Sequence, residues 1–308
     1  MLKVKVVCGW EDTKSITKRV KEQFLTDEIK DRISFVYDDS YDVIVYNNYI
    51  TEKVKEGARA CIFFHEPTWS GNHQCVFNNH QDMNIFGFDS KKYAIGENTF
   101  IESPAKMFYG GRGPWTEGHN FWTYSNIISK EFVKTKNISS VVSNLGFDGN
   151  YGPEGCLYKE RYTLIKNLIN KIHYIDYYGW GDSVDRLKGN PKEKKDGLIE
   201  YKFSICIENS HENNYVSEKF FDCILTNTIP IYFGCKNIKE IIPEDCFIQI
   251  KDINDIDGAI NQIETINNNC DEIYNNMLPK LLNLKKRYFN DFNILNDLLT
   301  IDKNKNIQ

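Results

Sequence analysis

A stretch of acidic, basic and amide side chains between residues 208 and 219 is the first place in this sequence to look for chemistry. The apolar run Phe203–Ile207 predicts a buried strand, and Glu208 and Asn209 follow it directly. Side chains at the carboxyl end of such a strand lie where α/β folds bind their ligands. The sequence therefore predicts a polar site at this edge of a sheet.

A helix predicted over Glu218–Leu225 adds charge to the same region. Ser217 is a good N-cap for this helix, which puts Glu218 and Lys219 in its first turn. A lysine in this position opposes the helix dipole unless an anion lies in front of it. Exposed backbone amides with an ammonium group would form a phosphate site. The alternative is that Lys219 is only a solvated surface charge.

The elements that must position these residues follow an α/β pattern in both halves of the chain. Apolar runs separated by helix-like stretches predict two doubly wound parallel sheets, one in each half of the chain, with a boundary near residue 140. We predict an N-terminal domain over residues 1–138 with a long loop over 69–124, and a C-terminal domain over 139–308. Residues 188–196, charged and interrupted by Gly and Pro, predict a second loop, and the helical segments after residue 250 are expected to break at Pro279. Predicted strands and helices are Lys3–Cys8, Thr13–Phe24, Ile33–Tyr37, Val43–Tyr46, Ala60–Phe64, Ser140–Ser143, Tyr158–Asn170, Tyr174–Tyr178, Phe203–Ile207, Glu218–Leu225, Thr228–Phe233 and Cys246–Ile250.

Composition excludes several classes of protein. The chain has 308 residues, 41% of them hydrophobic, which argues against a disordered protein. Its formal net charge of -5 argues against a protein that binds nucleic acid through a broad basic surface. It contains no run of about 18 apolar residues, so no transmembrane segment is expected. The nine cysteines include no C-x-x-C pair, and most lie in apolar runs. That usage is typical of a reducing compartment and predicts a cytoplasmic protein.

The segment from Tyr201 to Phe247 resembles a known family. Glu208-Asn209-Ser210, Ser217-Glu218-Lys219 and the run Thr228–Gly234 are similar to the signature of glycosyltransferase family 10, the α1,3/4-fucosyltransferases. This resemblance implies a GT-B-like fold, in which two Rossmann-like domains face a cleft and the C-terminal one binds GDP-fucose. It implies an inverting transfer of a sugar, most simply L-fucose, from the GDP-sugar donor to a hydroxyl of a glycan acceptor, with no cofactor required.

The same resemblance assigns site residues. Asn209, Tyr215, Glu218 and Lys219 fall on the family's donor-binding positions, where the glutamate binds the nucleotide ribose and the lysine binds the diphosphate. Arg161, early in a predicted helix, resembles the family's diphosphate arginine. An ordinary ion pair of Arg161 with Glu160 or Glu154 is the alternative.

In the N-terminal half, Cys61–Pro67 occupies the place of the family segment that carries the catalytic base. Glu66 follows a predicted strand and is the expected base, because an acceptor hydroxyl must lose its proton as it attacks the anomeric carbon. His65 replaces a small residue of the family and could orient Glu66, contact the acceptor or act as the base itself. Trp69 is a candidate for stacking on a sugar. Glu66 could also be a strand-end carboxylate with no catalytic role.

Two patterns suggest metal sites, and neither is adopted. Asp255-Ile-Asp257 has the Asp-x-Asp form of metal-dependent glycosyltransferases, but it lies where acids favour a helix N-terminus. His65, His73 and His80 lack any zinc-ligand spacing. We therefore predict no metal ligand. Alternatives that stay open are another nucleotide-sugar, a nucleobase or protein acceptor, a non-catalytic nucleotide-sugar-binding protein and a zinc hydrolase built on His65 and Glu66.

Overall fold

The fold contains two separate parallel β-sheets. It is seen in a computed structural model that describes residues 1–9, 11–47, 49–64, 83–87, 99–102, 127–142, 155–179, 187–189, 191 and 194–305. The first sheet has the strand order β2-β1-β3-β4-β5-β6, and its neighbouring strands run parallel. Its strands are β1 Leu2–Cys8, β2 Ile33–Phe35, β3 Val43–Asn47, β4 Arg59–Phe63, β5 Met83–Gly87 and β6 Thr99–Glu102.

The second sheet has the order β11-β10-β9-β7-β8 and is also parallel. In both sheets the strand that comes first in the chain lies between the second and the third. The order therefore reverses between β1 and β3 in one sheet and between β7 and β9 in the other. The strands of the second sheet are β7 Lys136–Val141, β8 Asp176–Tyr178, β9 Tyr201–Ile207, β10 Ile229–Phe233 and β11 Ile248–Gln249.

Among the described residues, one helix follows β1 and the others follow β7. The bounds of the first and third helices are those predicted from the sequence. The predicted break at Pro279 is wrong, because one helix runs through that residue. The helices are α1 Thr13–Phe24, α2 Tyr158–Lys171, α3 Glu218–Leu225, α4 Ile238–Ile241, α5 Ile256–Asn268, α6 Cys270–Asp291 and α7 Ile294–Lys305, with 3-10 turns at Lys194–Gly197 and Glu244–Cys246.

The predicted long loop over residues 69–124 is also wrong in part, because β5 and β6 lie within it. Strand β5 pairs with β4 on one side and with β6 on the other. Met83, Ile85 and Phe86 of β5 are buried. A short strand covered on both faces has no clear alternation of polar and apolar residues, so its sequence does not distinguish it from a loop.

Apolar side chains cover both faces of the first sheet. Val4 and Val6 of β1 face the same core as Ile16 and Val20 of α1, whereas Val7 faces a second core on the opposite side. This burial on both faces is typical of a doubly wound sheet. Two Rossmann-like units are therefore confirmed, while the domain boundary at residues 138 and 139 stays a prediction. No helix among the described residues has the length and apolarity needed to cross a bilayer.

A buried asparagine ties the C-terminal helices to the first helix. The Asn293 amide donates hydrogen bonds to the carbonyl oxygens of Phe24 at 2.7 Å and Phe289 at 2.8 Å, and its Oδ1 accepts one from Leu295 N at 2.9 Å. Asn293 is fully buried. Because backbone groups in such a place need partners, this side chain fixes where α7 begins relative to α1.

Replacing this side chain tests the connection. We expect Asn293→Ala to lower the free energy of unfolding by about 1–3 kcal/mol, because buried carbonyl groups lose their donor. The matched control is Asn296→Ala, which removes one exposed hydrogen bond to Asn290 O and should change stability by less than about 0.5 kcal/mol. Thermal or urea unfolding of the full chain measures both. Equal effects of the two variants would contradict the role given to Asn293.

Candidate functional site

The candidate site lies at the carboxyl edge of the second sheet, where the strand order reverses. Strand β7 ends at Val141 and its neighbour β9 ends at Ile207. Glu208 and Asn209 follow β9 directly, so they emerge beside this reversal point. Ligands of open α/β sheets bind at such points, outside the carboxyl ends of the strands.

Glu208 anchors the start of α3. Its carboxylate is fully buried and accepts hydrogen bonds from Ser217 N at 2.7 Å and from Ser217 Oγ at 2.5 Å. The hydroxyl of Tyr232 on β10 lies 3.4 Å from Glu208 Oε1, the oxygen that also accepts from Ser217 N. Ser217 is the N-cap of α3, as predicted. Glu208 therefore joins the end of β9 to the first turn of α3, a structural role that the sequence interpretation did not assign to it.

Lys219 and Glu218 form a charged pair in the first turn of α3. The Lys219 ammonium lies 3.1 Å from Ser217 Oγ, 3.5 Å from Glu208 Oε2 and 3.6 Å from Glu218 Oε1. Burial lowers the pKa of Lys219, but the carboxylates of Glu218 and Glu208 outweigh burial, and the pKa is raised above its ordinary value. Burial raises the pKa of Glu218, but Lys219 and Lys194 outweigh burial and lower that pKa to about 2. Both groups are therefore charged at neutral pH.

Arg161 on α2 is brought to the same edge by a hydrogen bond to Asn209. The guanidinium Nη1 donates to Asn209 Oδ1 at 2.6 Å, and the guanidinium carbon lies 5.2 Å from the centre of the Tyr158 ring. The backbone oxygen of Asn209 accepts a hydrogen bond from Leu157 N at 2.8 Å. Arg161 is only 5% exposed. The structure thus brings together two predicted site residues that are 48 positions apart.

The N-terminus of α2 adds a partial positive charge. No side chain in the described part of the chain caps its first turn, and its N-cap position is occupied by Leu157. The first backbone N–H groups of an α-helix have no partner within the helix and attract anions. With Arg161 and Lys219 beside it, this edge of the sheet has the character of a phosphate site.

The remaining predicted residues divide into two groups. Tyr215 lies near the start of α3 and is 1% exposed, and its carbonyl oxygen accepts a hydrogen bond from Tyr232 at 3.4 Å. Its ring is therefore packed inside the protein, close to the start of α3. Glu66, His65 and Trp69 lie outside the described residues, so the predicted catalytic base stays a prediction.

The two aspartates of the Asp-x-Asp pattern have structural roles. Asp255 is the N-cap of α5 and accepts a hydrogen bond from Gly258 N at 2.9 Å. Asp257 forms an ion pair of 2.8 Å with Lys171. Within the described ranges, no group of three or more His, Cys, Asp and Glu side chains could hold a metal ion. These contacts account for both aspartates without a metal ion.

One charged residue of the site was missed by the sequence interpretation. Lys194 falls in the stretch predicted as a loop over residues 188–196, but it opens a 3-10 turn and its ammonium lies 2.6 Å from Asp222 Oδ2 and 3.5 Å from Glu218 Oε1. The sequence around Lys194 is rich in lysine, and nothing in it separates this lysine from its neighbours. Only the fold of the second sheet reveals its place.

Gly234 provides a test of how tightly Glu208 is held. A Cβ atom at this position would overlap the Glu208 side chain and lie 2.8 Å from the Tyr232 hydroxyl. We expect Gly234→Ala to lower the free energy of unfolding by about 1–3 kcal/mol, because the buried carboxylate has no room to move away. Thermal unfolding measures the effect. An unchanged Tm would mean that Glu208 is not fixed as described.

Comparison with known proteins finds a family match in the second half of the chain. Residues 132–279, just under half of the sequence, match the family model "Glycosyltransferase family 10 (fucosyltransferase) C-term". An α-(1,3)-fucosyltransferase of Helicobacter pylori is 33% identical over 119 residues, which are 37% of this chain and 24% of that protein. The α-(1,3)-fucosyltransferase fut-6 of Caenorhabditis elegans is 29% identical over 152 residues, 45% of this chain and 39% of that protein. The chain thus spans less than half the length of these curated relatives.

Solved structures share the two-sheet fold. A crystal structure of an α1,3-fucosyltransferase superposes with a TM-score of 0.53 at 21% identity, covering 90% of this chain and 80% of the other. The DNA-modifying enzyme β-glucosyltransferase superposes with a TM-score of 0.59 at 9% identity, covering 97% and 98% of the two chains. At such identities the likeness establishes the fold alone, which is the GT-B arrangement expected from the sequence. Residues 132–279 are thus similar to glycosyltransferase family 10, the fucosyltransferase family, within a chain that has the GT-B fold.

Proposed function

We propose that this chain is an inverting glycosyltransferase that moves L-fucose from GDP-fucose to a hydroxyl group of a glycan acceptor. The observation that carries the proposal is the grouping of Arg161, Lys219 and the N-terminus of α2, which no described side chain caps, at the reversal point of the second sheet. A nucleoside diphosphate is the leaving group of this reaction, and it gains negative charge as its bond to the sugar breaks. Fixed positive groups at that point lower the energy of the transition state.

The donor nucleotide would contact the residues around α3. Lys219 and Arg161 would bind the diphosphate, and Glu218 would accept hydrogen bonds from the ribose hydroxyls, supported by Asn209 and Tyr215. The pKa of about 2 for Glu218 suits this role, because an ionised carboxylate accepts hydrogen bonds from two neighbouring hydroxyls. An α1,3-fucosyltransferase of the same fold has been solved with GDP, at a TM-score of 0.52 and 20% identity.

The chemical step would be a single displacement. The acceptor oxygen attacks the anomeric carbon, the bond from that carbon to the diphosphate breaks, GDP departs, and the hydroxyl proton passes to a base. Glu66 is our proposed base, with His65 and Trp69 as residues that orient it or contact the acceptor. We further propose that residues 1–138 form the acceptor side and residues 139–308 the donor side. No cofactor or metal ion enters this scheme.

The state of the cysteines supports a cytoplasmic location. The described part of the chain contains eight cysteines, and only Cys156 among them is not buried. Several of these thiols have a raised pKa, and burial raises the pKa of Cys235 to about 12. Buried, protonated thiols are stable in a reducing compartment.

Nucleotide binding tests the donor site. We expect calorimetry to show binding of GDP in preference to UDP, CMP and ADP, and we expect Lys219→Ala to weaken GDP binding at least about 10-fold, because a charge-assisted contact to the diphosphate is lost. The matched control is Lys171→Ala, which removes a lysine paired with exposed Asp257 on the same domain. Preference for another nucleotide would identify a different donor. Unchanged GDP affinity in Lys219→Ala would mean that the diphosphate does not bind at the start of α3.

Turnover tests the predicted base. We expect Glu66→Gln to reduce kcat about 10²- to 10⁴-fold with GDP-fucose and a glycan acceptor, because the amide cannot take the proton. GDP affinity should stay within about 2-fold, and Glu56→Gln, at an exposed turn near the same strand, should leave kcat unchanged. GDP binding by the wild type without any donor consumption would favour a non-catalytic nucleotide-sugar-binding protein. Full turnover by Glu66→Gln would assign the base to another residue.

A further inference from the structure

Lys194 contacts two carboxylates that lie one turn apart on α3. Its ammonium is 2.6 Å from Asp222 Oδ2 and 3.5 Å from Glu218 Oε1. Asp222 is 1% exposed, whereas about a quarter of the Glu218 side chain is exposed. Lys194 therefore pairs with a buried carboxylate, Asp222, and also contacts a partly exposed one, Glu218.

The turn that carries Lys194 is fixed against the second sheet. Gly197, the last residue of the turn, accepts a hydrogen bond on its carbonyl oxygen from Ser139 Oγ of β7 at 2.6 Å. A Cβ atom on Gly197 would lie 2.5 Å from Val141 Cγ2, so the turn packs against β7 at a distance that only glycine permits. Lys194 therefore lies on a turn that is held by β7, and its side chain contacts α3 from outside that helix.

Glu218 is consequently held between two lysines. Lys194 and Lys219 lie 3.5 Å and 3.6 Å from the same atom, Glu218 Oε1. Burial lowers the pKa of Lys194, but Asp222 and Glu218 outweigh burial and raise the pKa above its ordinary value, so the ammonium is charged at neutral pH. A carboxylate fixed by two cations from different elements loses the freedom to turn toward solvent, which is the condition for a preorganised hydrogen-bond acceptor.

We propose that Lys194 is a positioning residue of the donor site, which acts through Glu218 and holds its carboxylate in place for the two ribose hydroxyls of the donor. This inference rests on the proposed function, since it needs Glu218 to be the ribose ligand. Lys194 itself need not touch the donor, because its ammonium is already bound to Asp222. Its effect is specific to hydroxyl groups of the ribose and is separate from binding of the diphosphate.

A variant that removes only Lys194 would confuse positioning with stability. Lys194→Met leaves the buried Asp222 carboxylate without its cation, and we expect Tm to fall by about 5–15 °C. The double variant Lys194→Met/Asp222→Asn removes both charges, and its Tm should return to that of Asp222→Asn alone. The comparison of the double variant with Asp222→Asn therefore isolates the contact between Lys194 and Glu218.

The measurement is the ratio of affinities for GDP and 2′,3′-dideoxy-GDP, by calorimetry on the full chain. We expect the wild type to bind GDP at least about 10-fold more tightly, because a polar site discriminates against a ligand that lacks its hydroxyls. The ratio should fall to within about 3-fold in Lys194→Met/Asp222→Asn and in Glu218→Gln. It should be retained in Asp222→Asn, in Lys194→Arg and in the control Lys188→Met, a lysine of the neighbouring segment that pairs with Asp176 at 2.7 Å.

The outcomes separate this inference from the function on which it depends. A wild type that binds no GDP overturns both. A wild type that binds GDP with a high ratio, and a double variant that keeps this ratio, overturns the role of Lys194 and leaves the donor site intact. Equal loss of affinity for GDP and dideoxy-GDP in the double variant also overturns it, because Lys194 would then act on the diphosphate or on the fold and not on the ribose ligand.

Discussion

The hydrogen bonds from Ser217 to the buried carboxylate of Glu208 are the interaction on which the site depends. They join the end of β9 to the start of α3, and both site residues of α3 follow within two positions. A buried carboxylate is costly unless it is hydrogen-bonded and paired, and here Ser217, Tyr232 and Lys219 meet that need. The position of Lys219 is thus a consequence of how the protein stabilises Glu208. Gly234 leaves the space that the buried Glu208 side chain occupies, because a Cβ atom at this position would overlap it.

The charges of the site balance in the absence of a ligand. Lys194 is paired with Asp222, and Lys219 lies between Glu208 and Glu218. Arg161 donates a hydrogen bond to a neutral amide, Asn209, and its charge also interacts with the carboxylates of Glu208 and Glu218. Under the proposed function, an incoming diphosphate would meet the positive charges of Arg161 and Lys219 and the N-terminus of α2. Lys219 would have to exchange a carboxylate for a phosphate, which makes its contribution depend on how firmly Glu218 is held.

Local signals in the sequence predicted the elements that carry the site, and long-range contacts explain what was missed. The bounds of α1 and α3 follow from an N-cap residue and a helical period, both of which are local. Strand β5 is recognisable only through its neighbours β4 and β6, because Met83, Ile85 and Phe86 are all buried and give no alternation of polar and apolar residues. Arg161 and Asn209 could be proposed separately by resemblance, but their contact depends on the order of β7 and β9 in the sheet. The sequence around Lys194 carries no local signal, and the position of this residue depends on the packing of the turn Lys194–Gly197 against β7.

The two sheets share one topology but differ in how the N-terminus of their first helix is capped. At the N-terminus of α1 the carboxylate of Asp12 accepts hydrogen bonds from Lys14 N at 2.9 Å and Ser15 N at 3.1 Å. Its negative charge occupies the position that a phosphate would take, and it would repel one. At the N-terminus of α2 no side chain of the described residues fills that position, and Arg161 lies within the first turn. This difference supports the proposal that a donor diphosphate binds at the second sheet.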